Sequence, residues 1–515
     1  MQATLAPLVA CLCLTVNGRT AAPNLVLFVA DDLGWDDVGF HGSGQVLTPH
    51  LDALASEAVV LDSYYSSPLC TPSRAALLSA VHPIHSSQQN YVIGTSEPRG
   101  LPLCLRLWPQ FLSPYGYRSH LVGKWHLGFH RRSFTPTARG FDSHFGYWSG
   151  EIGYYDHVAI EDGGAWGIDF RQDFQLALNY TNRYTTQLFT ERAIEIIRAH
   201  DPSEPLFLMV SYQSVHVGHR FARLEAPEPL VRRFSYIRDK RRQVFAAMLL
   251  AMDQSIGDIM HALRVKGLLG NSVVAFMSDN GASVDGYEGG YGSNWPLRGS
   301  KSSLWEGGIR VPALLWSPFV KPRVSNQLFH VTDWLPTLAS AAGIQLPVTH
   351  MYGVSQWNSL LDEALPPPRT EVLHNIDPIW NVSAIRVGRF KLVQGIVEPE
   401  WQGWFPPPPG AHGRTTFVST RIRCDPPGNE SRGCSPESAA CLFDIERDPC
   451  ERENIAHQQA PLLPSLWRRV QDLASTASPV GRRKRDASSW PPVHGYAWSC
   501  WRDAEAEAEG SENES

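Results

Sequence analysis

Through the amino-terminal part of the chain, short unbroken apolar runs keep ending on charged or amide side chains. "NLVLFVA" (24–30) runs into Asp31 and Asp32, and "SHLVGKWH" (119–126) ends on Lys124 and His126. "PLFLMVSY" (205–212) leads to His216, and "NSVVAFMSDNG" (271–281) ends on Asp279 and Asn280. Apolar runs of this length predict strands buried on both faces. Val244, Met248, Ala251, Met252, Ile256, Ile259, Met260 and Leu263 recur at helical spacing and predict an amphipathic helix. Strands alternating with helices make an α/β domain with a mainly parallel sheet. In such sheets ligands gather beyond the carboxyl ends of the strands, where these polar residues fall.

After "LPPPRT" (365–370), which reads as a linker, the pattern shortens. "SAIRVGRFKLVQG" (383–395) predicts a hairpin, "CLFDIERDPCERENIA" (441–456) a strand and turn, and residues 457–476 a helix. The expected organisation is a catalytic domain over 23–368 and a smaller sheet-and-helix domain over 369–515 with an acidic tail. With 515 residues, 43% of them hydrophobic, the chain is long enough for both.

The opening "MQATLAPLVACLCLTVNGRTAA" (1–22) reads as a secretory signal, cleaved between Gly18 and Ala22. No later stretch is long and apolar enough to span a bilayer. The net charge of −6 resides mostly in the tail from Trp501 to Ser515, which holds six acids and one arginine. Nothing in this balance marks a nucleic-acid binder. Export suits disulfides. Cys11 and Cys13 leave with the signal and Cys70 stands apart, so Cys104, Cys424, Cys434, Cys441, Cys450 and Cys500 remain, with about 15 formal pairings. A Cys104–Cys500 bridge would pin the tail to the large domain and leave the other four to pair within 424–450. Sequons at Asn179, Asn381, Asn429 and Asn513 fit a glycoprotein.

Asp31, Asp32, Asp279 and Asn280 are hard oxygen donors, which suit calcium or magnesium rather than zinc. Cys70 precedes Pro72 in what reads as the first turn of a helix, whose amino terminus favours an anion. Arg74 lies in the same turn, and Lys124, His126, His216 and Lys301 add cationic or proton-transferring groups. A divalent ion and basic groups around one nucleophile describe a site for a tetrahedral oxyanion ester.

The run "CTPSR" (70–74) resembles the core signature of the sulfatase family, in which that cysteine is oxidised to formylglycine during secretion. The resemblance continues through "LVLFVADDLGWDDVGFHG" (25–42), "GYRSHLVGKWHLG" (116–128), "RGFDSHFGYWSG" (139–150), "SDNGASVDG" (278–286) and "NWPLRGSKSSLWEGGIRVP" (294–312). "LFDIERDPCERENIA" (442–456) is a weaker match. Within the family the chain is most similar to the arylsulfatase B group, which includes N-acetylgalactosamine-4-sulfatase. It departs at "LSAV" (78–81), where the family usually has Leu-Thr-Gly-Arg and where the formylglycine-generating enzyme reads its target.

The resemblance implies an alkaline-phosphatase-like α/β sandwich with a small carboxyl-terminal sheet domain. It implies Ca2+ held by Asp31, Asp32, Asp279, Asn280 and the modified Cys70. Cys70, Arg74 and His126 become catalytic, while Lys124, His216 and Lys301 bind the sulfate of a sulfated sugar or aryl sulfate. His216 or Lys301 protonates the leaving alcohol, and His126 deprotonates the second hydroxyl of hydrated formylglycine to expel sulfate. The implied location is lysosomal or extracellular. The alternatives are a phosphodiesterase or phosphonate hydrolase of the same superfamily, and a glycan-binding protein with Cys70 unconverted. Candidates for the rim of the site are the aromatic "GEIGYYDH" (150–157) and the basic run Arg232, Arg233, Arg238, Lys240, Arg241 and Arg242, which reads as a solvated helix approach or, alternatively, as a contact for a polyanion. "GRRKRD" (481–486) reads as a solvated loop or a processing-protease site.

Overall fold

The computed structural model describes residues 22–503, apart from 162, 348–350, 410–418, 421, 423 and 425–432. The signal segment up to residue 21, the acidic tail beyond 503, and Asn429 and Asn513 lie outside the described residues.

Ten strands form the main sheet: β1 (Asn24–Ala30), β2 (Val59–Leu61), β3 (Arg118–Lys124), β4 (Ser143–Tyr147), β5 (Arg171–Gln172), β6 (Gln175–Leu176), β7 (Leu206–Ser211), β8 (Ser272–Ser278), β9 (Ala313–Trp316) and β10 (Arg323–Ser325). Their order is β10-β2-β9-β8-β1-β7-β3-β4-β5-β6. The central strand β1 pairs in parallel with β7 (Val26 opposite Leu208) and with β8 (Val26 opposite Val274). Strands β3 and β4 continue the parallel set, while β9 returns antiparallel beside β8. All seven residues of β1 are buried, as are those of β7 and β8. Burying each Leu, Val or Phe contributes about 1.5–3 kcal/mol, so these runs belong at the centre of the sheet.

The helical repeat at 244–263 lies inside α4 (Lys240–Val265), whose amino terminus is capped by Asp239 accepting from Arg241 N at 2.8 Å. Helix α3 (Thr185–Ala199) packs against α4 and the sheet, as α1 (Pro49–Ser56) also packs on α4. Helix α2 (Cys70–Ser79) is buried along its whole length and contacts α5 (Trp334–Ala341). Because β1, β3, β7 and β8 run parallel, their carboxyl ends open on one edge, which α2 meets with its amino terminus.

A second, antiparallel sheet follows in sequential order: β11 (Glu371–Asp377), β12 (Val382–Val387), β13 (Phe390–Gln394) and β14 (Cys441–Asp444), with α6 (Leu463–Ser475) packed on β12. Strands β12 and β13 form a hairpin with Gly388 in the left-handed region (φ 55°). A fully buried charge cluster joins this sheet to the main body. Lys391 Nζ lies 2.9 Å from Glu306 Oε1 and 2.7 Å from Glu451 Oε1, all three side chains at 0% exposure. Tyr65 also donates to Glu306, at 2.8 Å. Burial pushes Glu451 up to about 7 against the pull of Lys391.

The cysteines correct one expectation. Cys424 pairs with Cys450 and Cys434 with Cys441, but Cys104 and Cys500 are unbridged. They have different surroundings: Cys104 borders a surface cleft with Ser79, His85 and Phe111, whereas burial and Asp503 raise the Cys500 thiol to about 12. The segment around Cys500 is docked without a bridge. Trp498, fully buried, donates to Ala159 O at 3.1 Å, and Trp501 packs edge-on against Phe129.

Breaking a buried ion cluster on one side leaves uncompensated charge costing about 3–5 kcal/mol. Lys391→Met should therefore lower unfolding free energy by about that amount in chemical denaturation. A loss below about 1 kcal/mol, the scale of an exposed ion pair, would show that the cluster does not hold the two sheets together.

Candidate active site

Every residue expected at the site falls on the one sheet edge. Asp31 and Asp32 follow β1, Lys124 ends β3 with His126 just beyond, and His216 follows β7. Asp279 and Asn280 follow β8. Cys70 is the first residue of α2, preceded by the extended Leu69, so the unpaired N–H groups of that first turn surround its side chain with positive potential. Lys301 comes from the loop before β9. Asp32 (φ 57°) and His126 (φ 59°) are both left-handed, a conformation costing about 1–3 kcal/mol that recurs where function fixes the backbone.

Three carboxylates face three cations here, all buried. Lys124 Nζ donates to Asp31 Oδ2 at 2.6 Å. Lys301 Nζ donates to Asp32 Oδ2 at 2.9 Å, and lies 2.9 Å from Glu288 Oε2 and 3.1 Å from His216 Nε2. Arg74 donates through Nε to Asp279 Oδ2 at 3.0 Å and through Nη1 to Ser211 Oγ at 2.6 Å. Burial alone would raise Asp32, but Lys301 and His216 outweigh it and hold the carboxyl down at about 2. Burial, with Asp31 beside it, lifts Asp279 to about 6 in spite of Arg74.

The histidines are neutral. Burial and Lys301 push His216 down to about 4; its Nδ1 lies 2.7 Å from Val217 O, so Nδ1 carries the proton and Nε2 accepts from Lys301. Burial, Lys124 and Arg74 hold His126 well below the usual range. Its Nε2 lies 3.1 Å from Ile93 O, which makes Nε2 the donor and leaves the buried Nδ1 unprotonated and without a hydrogen-bond partner. Tyr154 OH donates to His216 O at 2.8 Å and steadies that loop.

Cys70 Sγ lies 3.5 Å from Asp31 Oδ1. Burial holds the thiol well above its ordinary value even with Lys124 and Lys301 nearby. It is a thiol and not a thiolate, so an unmodified Cys70 is a weak nucleophile.

The donor set fits a divalent cation. Ligand atoms of Asp31, Asp32, Cys70 and His216 lie within 4.8 Å of one another. Asn280 Nδ2 donates to Asp32 Oδ1 at 2.7 Å, which leaves the buried Asn280 Oδ1 with no hydrogen-bond partner. A buried orphan carbonyl beside clustered carboxylates is the arrangement a hard cation would complete.

Above these groups lies a cleft of about 370 Å3 lined by Cys70, His126, His216 and Lys301. The rim takes little from its two candidates, and the basic run keeps its reading as a solvated helix approach. Of "GEIGYYDH", Gly150 and Glu151 line the cleft, but Tyr154 is fully buried and Tyr155 packs on Tyr184. The basic run 232–242 lies away from it. Arg232 pairs with Glu228 and Arg241 with Asp239, while Arg242 is buried against Asp37 Oδ1 at 2.7 Å. The arginines that do line the cleft are Arg220, Arg223, Arg482, Arg483 and Arg485, with Tyr91 among them. "GRRKRD" was visible as a basic loop, but no spacing signal brings residue 482 beside residue 70.

Residues 23–344 match the Sulfatase family. The chain is 38% identical over 505 residues to arylsulfatase J of Mus musculus, covering 94% of this chain and 81% of that protein. It is 33% identical over 362 residues to N-acetylgalactosamine-6-sulfatase of Rattus norvegicus, 67% of each. The solved structure of Ps i-CgsB with k-i-k-neocarrahexaose matches with a TM-score of 0.74 at 24% identity, covering 93% of this chain and 97% of that one. The expected alkaline-phosphatase-like sandwich is thus present, and the enzyme class is a sulfuric ester hydrolase. The chain belongs to the sulfatase family. The narrower likeness to the arylsulfatase B group is not carried by these relatives, which include an arylsulfatase J and 6-sulfatases.

Arg74 is the buried hinge between α2 and β8. Arg74→Met should abolish turnover and cost about 3–5 kcal/mol of stability, because Asp279 loses its counter-charge. Arg74→Lys, which keeps the charge but not the two-point grip, should fall between in thermal unfolding. Wild-type stability in both variants would remove Arg74 from this role.

Proposed function

We propose that this protein hydrolyses the sulfate esters of sulfated sugars, such as N-acetylgalactosamine 4-sulfate in glycosaminoglycans, and accepts aryl sulfates. It does so with formylglycine made from Cys70 and with Ca2+ held by Asp31, Asp32, Asp279 and Asn280. The observation that carries the reading is the buried Cys70 at a helix amino terminus, its sulfur clustered with the Asp31 and Asp32 carboxylates. A thiol is a poor partner for calcium and a weak nucleophile in this setting, whereas an oxygen at the same place suits both.

When bound, the cation and the oxidised side chain would supply a hard Lewis acid and a hydrated aldehyde oxygen in place of sulfur. The remaining chemistry belongs to the chain. Lys124, His216 and Lys301 lie where a sulfate would need its oxygens neutralised. Lys301 Nζ holds its proton 3.1 Å from the unprotonated His216 Nε2, so the proton can reach the departing alcohol from Lys301 directly or by relay through His216 Nε2. His126 Nδ1 accepts a proton, since Nε2 is committed to Ile93 O. Arg74 keeps Asp279 in place rather than reaching substrate.

The charge balance supports an anionic substrate. Asp31, Asp32, Asp279 and Glu288 stand against Arg74, Lys124 and Lys301, so a divalent cation would tip the site to a small positive balance. The secretory reading extends this proposal. Asn179 and Asn381 are exposed, the four cysteines of 424–450 are bridged, and no described helix is long and apolar enough to cross a membrane. Maturation would engage the formylglycine-generating enzyme, with a lysosomal or extracellular destination.

Peptide mass spectrometry around residue 70 of secreted protein should find the aldehyde, and Cys70→Ala should fold normally without turning over an aryl sulfate. Active protein with residue 70 fully alkylated by a thiol reagent would overturn the mechanism. A protein with an unconverted Cys70 that binds sulfated sugar without turnover would be the glycan-binding alternative.

Chelation should remove activity and lower the unfolding temperature, because the clustered carboxylates lose their cation. Asp32→Ala should do the same without chelator. Elemental analysis returning zinc in fully active protein would contradict the calcium assignment.

A further inference from the structure

The cleft above Cys70 is larger than a sulfate group needs. At about 370 Å3 it falls within the size range that encloses a whole small ligand. Its rim carries charge that the groups around Cys70 do not explain. Arg220 and Arg223 come from the loop after β7, and Arg482, Arg483 and Arg485 from "GRRKRD" (481–486), remote in sequence.

That second loop is held at both ends. Gly481 N donates to Ser87 O at 3.2 Å, and Arg483 N to Glu97 Oε1 at 2.7 Å. At the far end Asp486 N donates to Ser96 O at 2.9 Å, and its carboxylate accepts from Trp501 Nε1 at 2.9 Å and Arg502 Nε at 2.8 Å. Between these anchors the arginine side chains stand exposed. A loop of solvating charge has no need of such fixing.

Counting the charges separates a balanced rim from a binding one. Among the acids lining the cleft, Glu97 meets Arg99 at 2.8 Å, Glu161 meets Arg485 at 3.2 Å and Glu288 meets Lys301 at 2.9 Å. Glu151 lies 3.9 Å from His216 Nδ1. Arg220, Arg223 and Arg482 have no carboxylate partner among the described residues. Arg220 lies over the Phe221 ring and Arg482 over the Tyr91 ring, 5.0 and 5.2 Å from the centroids. Arg483, whose guanidinium reaches only Arg482 O at 3.4 Å, stands with them, so four guanidinium groups without a carboxylate partner face one cleft, and guanidinium is the side chain best shaped to grip a sulfate or carboxylate.

We infer that Arg482, Arg220 and Arg223 form a second anion subsite, which takes a sulfate or carboxylate on a sugar next to the one being desulfated. The preferred substrate is therefore an acidic oligosaccharide and not a lone sugar or aryl sulfate. This deepens the sulfatase reading above and rests on it for the position of the reacting sulfate. These are specificity residues: an aryl sulfate seated at Cys70 carries no second anion for them to hold.

The test titrates wild-type protein and an Arg220→Ala/Arg223→Ala/Arg482→Ala variant with a chondroitin sulfate tetrasaccharide, followed by tryptophan fluorescence at low and physiological salt. A carboxyl-reduced tetrasaccharide and one bearing a single sulfate show which anion is held. Aryl sulfate turnover is measured alongside. Three exposed ion pairs predict a loss of affinity of about tenfold or more for the tetrasaccharide, well beyond any change in aryl sulfate KM. The wild-type advantage should shrink with rising salt. Arg482→Lys in the otherwise wild-type protein should keep most of the affinity. Tetrasaccharide affinity equal in wild type and variant, or independent of salt, would overturn the subsite. A wild-type protein that shows the arginine-dependent binding but turns over no sulfate ester would instead overturn the catalytic reading and leave the subsite standing.

Discussion

Three carboxylates buried at one sheet edge impose the constraint around which the rest of the site is arranged. Asp31, Asp32 and Asp279 would be ruinously costly to bury alone, and Lys124, Lys301 and Arg74 each answer one of them at 2.6 to 3.0 Å. Each cation comes from a different element: the end of β3, the loop before β9, and the first turns of α2. The cluster therefore cannot form until those elements have met, and it ties the helix bearing Cys70 to the strands bearing the metal-type ligands. Structure and chemistry draw on the same charges.

The same economy explains the neutral histidines. A cation-rich, water-poor pocket penalises imidazolium, so His126 and His216 stay unprotonated. Their backbone hydrogen bonds then settle which nitrogen carries the proton. Ile93 O takes Nε2–H of His126, and Val217 O takes Nδ1–H of His216. One ring is left as an acceptor, and the other is coupled to Lys301.

The carboxyl-terminal part of the chain takes two parts in this architecture. Its sheet is locked to the main body through Lys391, Glu306 and Glu451, and its Arg482, Arg483 and Arg485 border the cleft. Trp498 and Trp501 dock its last described segment by burial, where a Cys104–Cys500 bridge had been expected. Basic residues of the loop just before them are thereby carried to the rim of a cleft whose other lining residues fall between Leu69 and Lys301.

What the sequence determined by itself was everything encoded locally. Unbroken apolar runs set the central strands, since only burial on both faces suits them, and each run carried its polar terminus with it. Asp31, Asp32, Lys124, His126, His216, Asp279 and Asn280 were legible for that reason, and Cys70 because Pro72 and the apolar "AALL" mark a helix start. The tertiary structure decided the rest. It assigned Arg74 to Asp279, turned Tyr154 inward, and buried Arg242 against Asp37. It also brought Arg482 and Arg220 into the lining of one cleft. Those pairings join residues far apart in the chain, and the energy that selects them depends on which surfaces meet, information that no local period or spacing contains.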